Sequence, residues 1–423
     1  PRDLHSLRRR QRQMCIRDSL ITLTLLSVPL FSALILFPSS GSHDTVYLEF
    51  PKNQTYTNKD NNTLQFIYNH TGNLTGVVNC TLYLDGDPVN YQTNVSANQS
   101  VVVYSNSTLS EGQHWWWVVC ENGTASESSV DAGYNYTFTI HTDTNWNSSE
   151  ECNITNNRIY SDSTIYLNCN LTIQPTGSLT LDNVTLLINS SFDGEYGIDV
   201  FGEMIIDNST NITAYNSSNH FFFIVHSGSK FTMKNSRLTD CGWENVDYHR
   251  GLRIDADNCI IENSEIISPD IHYLRALSLI GNNCSILNNT IKKLYGYEGV
   301  GIYISGNSST IAGNTIVTNQ SDFKVNYGVY LSSSSGNTIE NNTITSYSAG
   351  TANCWAYPLY LSSSSSNRIA NNNITANGEY YGVSVYLKNS DSNNITDNLI
   401  NCTGRGDRSV SYTHLTLPTT ERV

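Results

Sequence analysis

Charge is scarce in this chain. Only 14% of its 423 residues are Asp, Glu, Lys or Arg, and 37 acidic residues outnumber 23 basic ones, for a net charge of −14. No basic stretch inside the natural part could neutralise a row of phosphates, which excludes nucleic acid as a partner. Methionine (3) and proline (9) are also rare, and no His-x-His or Cys-x-x-Cys occurs. The soft ligands that copper prefers are therefore missing, and neither a metal nor another cofactor is expected. Apart from Leu20–Phe37 there is no apolar run long enough to cross a bilayer. Aromatic residues are not scarce: 26 Tyr, 12 Phe and 6 Trp argue against disorder. With about 50 Asn and abundant Ser and Thr, the composition suits turns and points away from helices, because these side chains compete for backbone hydrogen bonds.

Both ends carry a peculiar signature. Met14 to Ser19 read MCIRDS and Val410 to Leu415 read VSYTHL. Back-translated, the two are encoded by opposite strands of one oligonucleotide, as a sequencing adaptor at each end of an insert would be. Residues 1–19 and 409–423 are accordingly expected to be adaptor-derived and not native. Residues 20–37, uncharged with Pro29 in their middle, read as a signal peptide or an N-terminal membrane anchor, which would be the only membrane contact.

Eleven asparagines from Asn53 to Asn147 sit in N-x-S/T, roughly three times what the Ser and Thr content yields by chance. That density implies an exported, glycosylated surface protein. Residues 44–143 consist of short alternating runs separated by turn residues, the pattern of a β-sandwich, without a nucleophile, base or metal constellation. His114, beside Trp115–Trp117, reads as a strand-edge residue. Cys80 and Cys120, forty residues apart on two such runs, resemble the inter-sheet disulfide of an immunoglobulin-like module. A second small loop between Cys152 and Cys169 is also compatible with an oxidising compartment.

From residue 151 to 402 the chain repeats. One apolar register runs through Leu181, Ile206, Met233, Ile261, Ile286, Ile311, Ile339, Ile369 and Ile395, in steps of 25 to 30 residues. A second follows five residues later, through Leu186, Leu238, Ile266, Ile291, Ile316, Ile344, Ile374 and Ile400. A third is the alternating pair Leu252/Ile254, Leu277/Leu279, Ile302/Ile304, Val329/Leu331, Leu359/Leu361 and Val385/Leu387. Three short strands per coil imply an all-β solenoid of about nine coils. Ser264, Asn289, Asn314, Asn342, Asn372 and Asn398 recur two residues before the second register, where Asn tolerates left-handed angles and its amide can bond to its counterpart one coil away. Cys259 and Cys284 share one position in successive coils and read as packed core thiols. These repeats resemble the right-handed parallel β-helix family, including NosD-like and pectate-lyase-like surface proteins. The G-H-G, R-I-K and D-P-H-D motifs of that family's enzymes are not found.

Coil lengths vary in one place, between the second register and the third, so the inserted residues line one edge of the solenoid. There lie Trp243, Tyr295, Tyr297, Tyr347, Trp355, Tyr357, Tyr380 and Tyr381, rings suited to stacking on sugars. The same edge holds an ionisable group, Asp240, Glu244, Asp247 and His249, continued by Asp270, His272 and Arg275, in which paired carboxylates beside His or Arg are candidate catalytic residues. The expected function is binding of polysaccharide, of a surface glycan or of surface-protein partners without chemistry. A polysaccharide lyase or glycoside hydrolase using Asp240–Arg275, and a purely structural spacer, are the alternatives.

Overall fold

The structure, a computed structural model, describes residues 46–413 apart from 61–63, 72–73, 75, 106–107, 130–134, 244–248, 295–297, 321–324, 350–354, 380 and 404–407. In the repeat region, aliphatic residues alternate with Thr, Ser and Asn, and each short strand buries every second side chain, as in Ser178–Asp182 and Thr310–Ala312. The pleat sends alternate residues to opposite faces, so each strand lines the core with one face and meets solvent with the other. Stacking coil on coil then gives three parallel sheets around a single continuous core.

The three predicted registers form three columns. In the first sheet Leu181 pairs with Ile206, then Met233, Ile261, Ile286, Ile311, Ile339, Ile369 and Ile395. In the second, Leu186 pairs with Ile212, which continues the column through the coil where the repeat is hard to see. The third runs from Leu252 through Leu277, Ile302, Val329 and Leu359 to Val385. The second and third sheets each hold 11 strands among the described residues, more than the nine coils expected. One extra strand, Arg408–Thr413, falls largely in the stretch read as adaptor-derived and pairs in parallel with Tyr381–Lys388. The open end of a sheet offers unpaired N–H and C=O groups to any extended segment that reaches it.

The corner asparagines divide the two roles that the sequence reading gave to one residue. The left-handed position is taken by Asn263, Asn288, Asn341 and Asn371, with Gly313 in the coil between, all at positive φ. A Cβ at Gly313 would fall 2.3 Å from Asn288 Oδ1, so any larger residue there requires the Asn288 amide to move aside. The following residue makes the buried ladder. Asn289, Asn314, Asn342 and Asn372 each donate Nδ2–H to the Oδ1 of the next ladder asparagine, at 2.9–3.0 Å, and the backbone N–H bonds to the same oxygen. A second ladder, Ser309–Asn337–Asn367–Asn393, stands at another corner and continues backwards to Cys284, whose N–H donates to Ser309 Oγ. Cys259 and Cys284 are free buried thiols at that corner.

The N-terminal residues form two sheets packed on Phe66, Tyr68, Trp116 and Phe138, with Phe66 edge-on to Trp116 at 5.1 Å. One sheet is Val46–Phe50, Gln65–His70 and Val101–Tyr104. The other contains Asp87–Gln92, Asn79–Leu84, Gly112–Glu121 and Tyr136–Ile140, and it is not closed. Through Thr55–Thr57 it continues into the first solenoid sheet, where Tyr56 and Thr57 face Arg158 and Ile159. Disulfides join Cys80 to Cys120 and Cys152 to Cys169. The immunoglobulin-like placement of the first is corrected here. Cys80 and Cys120 lie directly opposite each other on neighbouring antiparallel strands of one sheet, Cα atoms 4.0 Å apart, and do not bridge two sheets. His114 is likewise no edge residue: it is buried, with Nδ1 2.5 Å from Asp85 Oδ2 and Nε2 2.8 Å from the Ser110 carbonyl.

Candidate functional site

The third sheet turns its outer face to solvent, and that face changes chemistry along its length. The strands Gly299–Ile304, Val325–Ser332, Trp355–Ser362 and Tyr381–Lys388 each place a tyrosine between two buried aliphatic residues. Their register makes Tyr303, Tyr330, Tyr360 and Tyr386 one outward column, with successive ring centroids 5.5, 4.9 and 5.1 Å apart. Beside it Tyr327 stacks on Tyr357 at 5.7 Å, and Trp355 stacks on Tyr381 at 4.5 Å. Eight half-buried rings thus occupy one face of four adjacent strands. Followed towards the N-terminus, the Tyr303 column continues as Ser278 and Arg253, and the Tyr327 column as Val300 and Arg275. The Arg275 guanidinium sits over the Tyr303 ring, 3.6 Å from its centroid, a cation–π contact at the junction of the two regions.

A cleft of about 220 Å³ opens at that junction, walled by Arg250, Tyr273, Arg275, Glu298, Tyr327 and Tyr330. Tyr273 has φ +63°, an uncommon conformation for a large side chain. Burial pushes the Tyr327 phenol well above its ordinary range, and Tyr360 is pushed up to about 12 for the same reason. A wider groove of about 470 Å³ runs along the second sheet near the same edge, lined by Asn319, Tyr347, Asn377, Glu379 and Thr403. Asn319, Tyr347, Asn377 and Thr403 are register partners on successive strands, so a ring 42% exposed is flanked by amides one strand away on either side.

Of the predicted stacking residues, Tyr347, Trp355, Tyr357 and Tyr381 are in this region. They are strand residues and not loop residues, because the variable segments extend the sheets at both ends before turning. Trp243 lies in an earlier coil. It stacks on His249 at 5.0 Å and covers Gly194, where a Cβ would fall 2.3 Å from the indole. Tyr295, Tyr297, Tyr380, Glu244 and Asp247 lie outside the described residues, as do residues 1–37. Asp240 is half-buried, and its Oδ2 accepts from Thr213 Oγ1 at 2.6 Å and Thr239 Oγ1 at 3.0 Å. Asp270 and His272 are exposed. Among the described residues no three His, Cys, Asp or Glu side chains come together as a metal site would require.

Sequence reasoning passed over Tyr303, Tyr330, Tyr360 and Tyr386. Their signal was present in GIYISG, GVYLSS, PLYLSS and SVYLKN, where a ring recurs between the two inward aliphatic residues and must therefore face out. Another buried group also went unnoticed. Lys293 is fully buried in the second sheet, between Ser268 and Thr318 in register, and donates to the carbonyls of Pro269 (3.1 Å) and Leu294 (3.3 Å). These carbonyls lie at the roots of the segments that carry Tyr273 and Glu298.

Residues 169–344 match the family described as Right handed beta helix region, and residues 281–414 match Periplasmic copper-binding protein (NosD). No curated protein matches the chain. Among solved structures, a periplasmic alginate epimerase shares 15% identity over 63% of this chain, with a TM-score of 0.39. This chain spans 66% of the epimerase's length. The A-module of a mannuronan C-5 epimerase from Azotobacter vinelandii is 13% identical, with 62% of this chain and 91% of that one covered and a TM-score of 0.27. A pectate lyase from Pectobacterium carotovorum is 13% identical, with 81% and 86% covered and a TM-score of 0.16. The copper in the second family description finds no matching donor set among the described residues. Met204 and Met233 are fully buried in the hydrophobic core, and the described His, Cys, Asp and Glu residues form no group of three. No helix among the described residues is long and apolar enough to cross a membrane.

Proposed function

We propose that this right-handed parallel β-helix, NosD-like in its repeats, is an exported, glycosylated cell-surface protein that binds carbohydrate along its aromatic edge without acting on it. The observation that carries this reading is the face built from Tyr303, Tyr327, Tyr330, Trp355, Tyr357, Tyr360, Tyr381 and Tyr386, eight rings on four consecutive strands. A sugar has apolar C–H faces and a hydroxyl rim, and rings with a polar tip on a rigid sheet meet both needs. The sheet also holds the rings in place before a ligand arrives, which lowers the ordering cost of binding. The groove beside Tyr347 adds neutral amide donors and acceptors of the kind that fix a hydroxyl pattern.

The reading without catalysis is supported by the carboxylates. Asp240 is engaged by two threonine hydroxyls, and Asp270 and His272 are exposed. The purified protein should retard members of a polysaccharide panel in affinity electrophoresis while releasing no reducing ends or unsaturated products. Release of product that disappears in Asp240→Asn would replace this reading with the lyase or hydrolase. No retardation by any polymer would leave the spacer.

A further inference from the structure

Resting on the reading of this chain as an exported glycoprotein, we infer that Asn135 carries an N-linked glycan whose first sugars lie against Trp115 and Trp117. The chain thereby covers an aromatic face of its own N-terminal module. Strand Gly112–Glu121 buries His114, Trp116 and Val118 and turns Trp115 and Trp117 to the other side of its sheet. Tyr83 stands opposite Trp117 on the neighbouring strand, with ring centroids 5.0 Å apart and planes 6° from parallel. Trp115 extends the row, its ring 5.0 Å from that of Trp117 and the residue 43% exposed. Three rings in a row on an outer sheet face form the kind of apolar patch that marks a covered surface.

The strand on the other flank supplies the cover. Asn135-Tyr136-Thr137 is an N-x-T acceptor. Thr137 lies directly opposite Trp115, while Tyr136 lies opposite Trp116 and meets it edge-on at 6.2 Å. One further step along this antiparallel ladder sets Asn135, which is exposed, opposite Trp117. Residues facing each other across such a ladder have Cβ atoms about 5 Å apart, so a sugar on Asn135 meets the indole at once. A pyranose offers an apolar C–H face to the ring, and Gln113, Thr137 and Thr139 supply uncharged hydrogen-bonding groups beside it. Asn53 is a second acceptor nearby, but its Oδ1 accepts from Thr137 N–H at 3.0 Å and from Thr137 Oγ1 at 3.2 Å, which lays its side chain along the strand. Attachment joins Asn135 Nδ2 to the anomeric carbon of an oligosaccharide carried on a lipid phosphate. The C–N bond forms, the anomeric C–O bond breaks, the lipid phosphate leaves with the electron pair, and Nδ2 loses one proton.

The test uses the full chain secreted from insect cells, which attach high-mannose N-glycans. Glycopeptide mass spectrometry reads the occupancy of each acceptor, and hydroxyl-radical footprinting reads the oxidation rate of each tryptophan. Asn135 is expected to be occupied, and Trp115 and Trp117 should oxidise several-fold faster in Asn135→Gln and in Thr137→Val than in wild type. Thr137→Ser, which keeps the acceptor, should retain the slow rates. So should Ser96→Ala, which removes the acceptor at Asn94, beside Asn79 at the far end of the strand that carries Tyr83. Buried Trp116 is the internal reference, and its slow oxidation in every variant reports an intact fold. An unoccupied Asn135 among other occupied acceptors overturns the inference and leaves the glycoprotein reading standing. Rings that stay protected in Asn135→Gln are covered by something else, a second copy or the glycan of Asn53, and this too overturns it. Occupancy at no acceptor overturns the glycoprotein reading itself.

Discussion

The guanidinium of Arg275 lies 3.6 Å from the ring centroid of Tyr303, one coil away, and this contact joins the cationic and aromatic parts of a single sheet face. Neither side chain belongs to the apolar core, because the residues beside them, Leu274 and Ala276 for Arg275 and Ile302 and Ile304 for Tyr303, are the buried ones. The surface chemistry of this protein is therefore written in the gaps of its core pattern.

Stacking on the aromatic face should be measurable ring by ring. Trp355→Ala and Tyr360→Ala are each expected to weaken retention of a bound polysaccharide by ~1 kcal/mol, about fivefold in dissociation constant. Asp240→Asn and Asp270→Asn should leave retention close to wild type. Affinity electrophoresis of the four variants on one gel series decides the matter, and a stronger effect from the aspartates than from the rings would contradict the proposed mechanism.

Ile311 is fully buried in the middle of the first column, between Ile286 and Ile339. Ile311→Asp places a carboxylate without a partner in an apolar core and should cost several kcal/mol, enough to abolish a cooperative thermal transition of the solenoid. Circular dichroism melting checks this. A wild-type melting curve would mean that the column does not face inward.

The asparagine ladder makes a graded prediction. Asn342 is buried, donates to Ile311 O and Asn372 Oδ1, and accepts from Asn314. Asn342→Ala strands several buried groups at once and is expected to cost roughly 2–4 kcal/mol. Asn398→Ala, at a less buried rung, should cost less. Chemical denaturation of the two variants would show this order, and equal losses would argue against burial as its cause.

Lys293 gives a pH signature. Burial lowers its pKa from 10.5 to about 8, and the nearby charge of Asp270 only partly offsets that effect. Between about pH 8 and 10 the unfolded chain holds a proton that the folded chain has released, so stability should rise with pH across this window. The full difference is on the order of 3 kcal/mol. Lys293→Met should flatten the rise, as read from denaturant midpoints at pH 7.5, 8.5 and 9.5. A variant that keeps the wild-type slope would show that another group is responsible.

Reduction should act on the N-terminal module. The Cys80–Cys120 disulfide closes a loop of 40 residues, and losing it is expected to cost roughly 2–4 kcal/mol. Alkylation without reductant followed by mass spectrometry should label neither cysteine, and labelling of both would remove the bridge.

The sequence by itself determined the solenoid. A side chain every second residue faces the core, and a core position recurring every 25 to 30 residues can be satisfied only by stacking, so Ile261, Ile286 and Ile311 announce both the strand and its neighbour. The corner asparagines were legible for the same reason, although the split between the left-handed residue and the ladder residue needed backbone angles to see. Tertiary structure alone decided what the outward residues do, because outward positions obey no hydrophobic rule and acquire meaning only from the neighbour that register supplies. Nothing in the spacing of Arg275 and Tyr303 says that one covers the other, and nothing around Lys293 in sequence says that its ammonium is buried against Pro269 and Leu294. The same holds for Thr55–Thr57, three residues whose hydrogen bonds to a strand a hundred positions later fuse the N-terminal sheet to the solenoid. Contacts of that range depend on where whole coils lie in space, and local pattern carries no record of it.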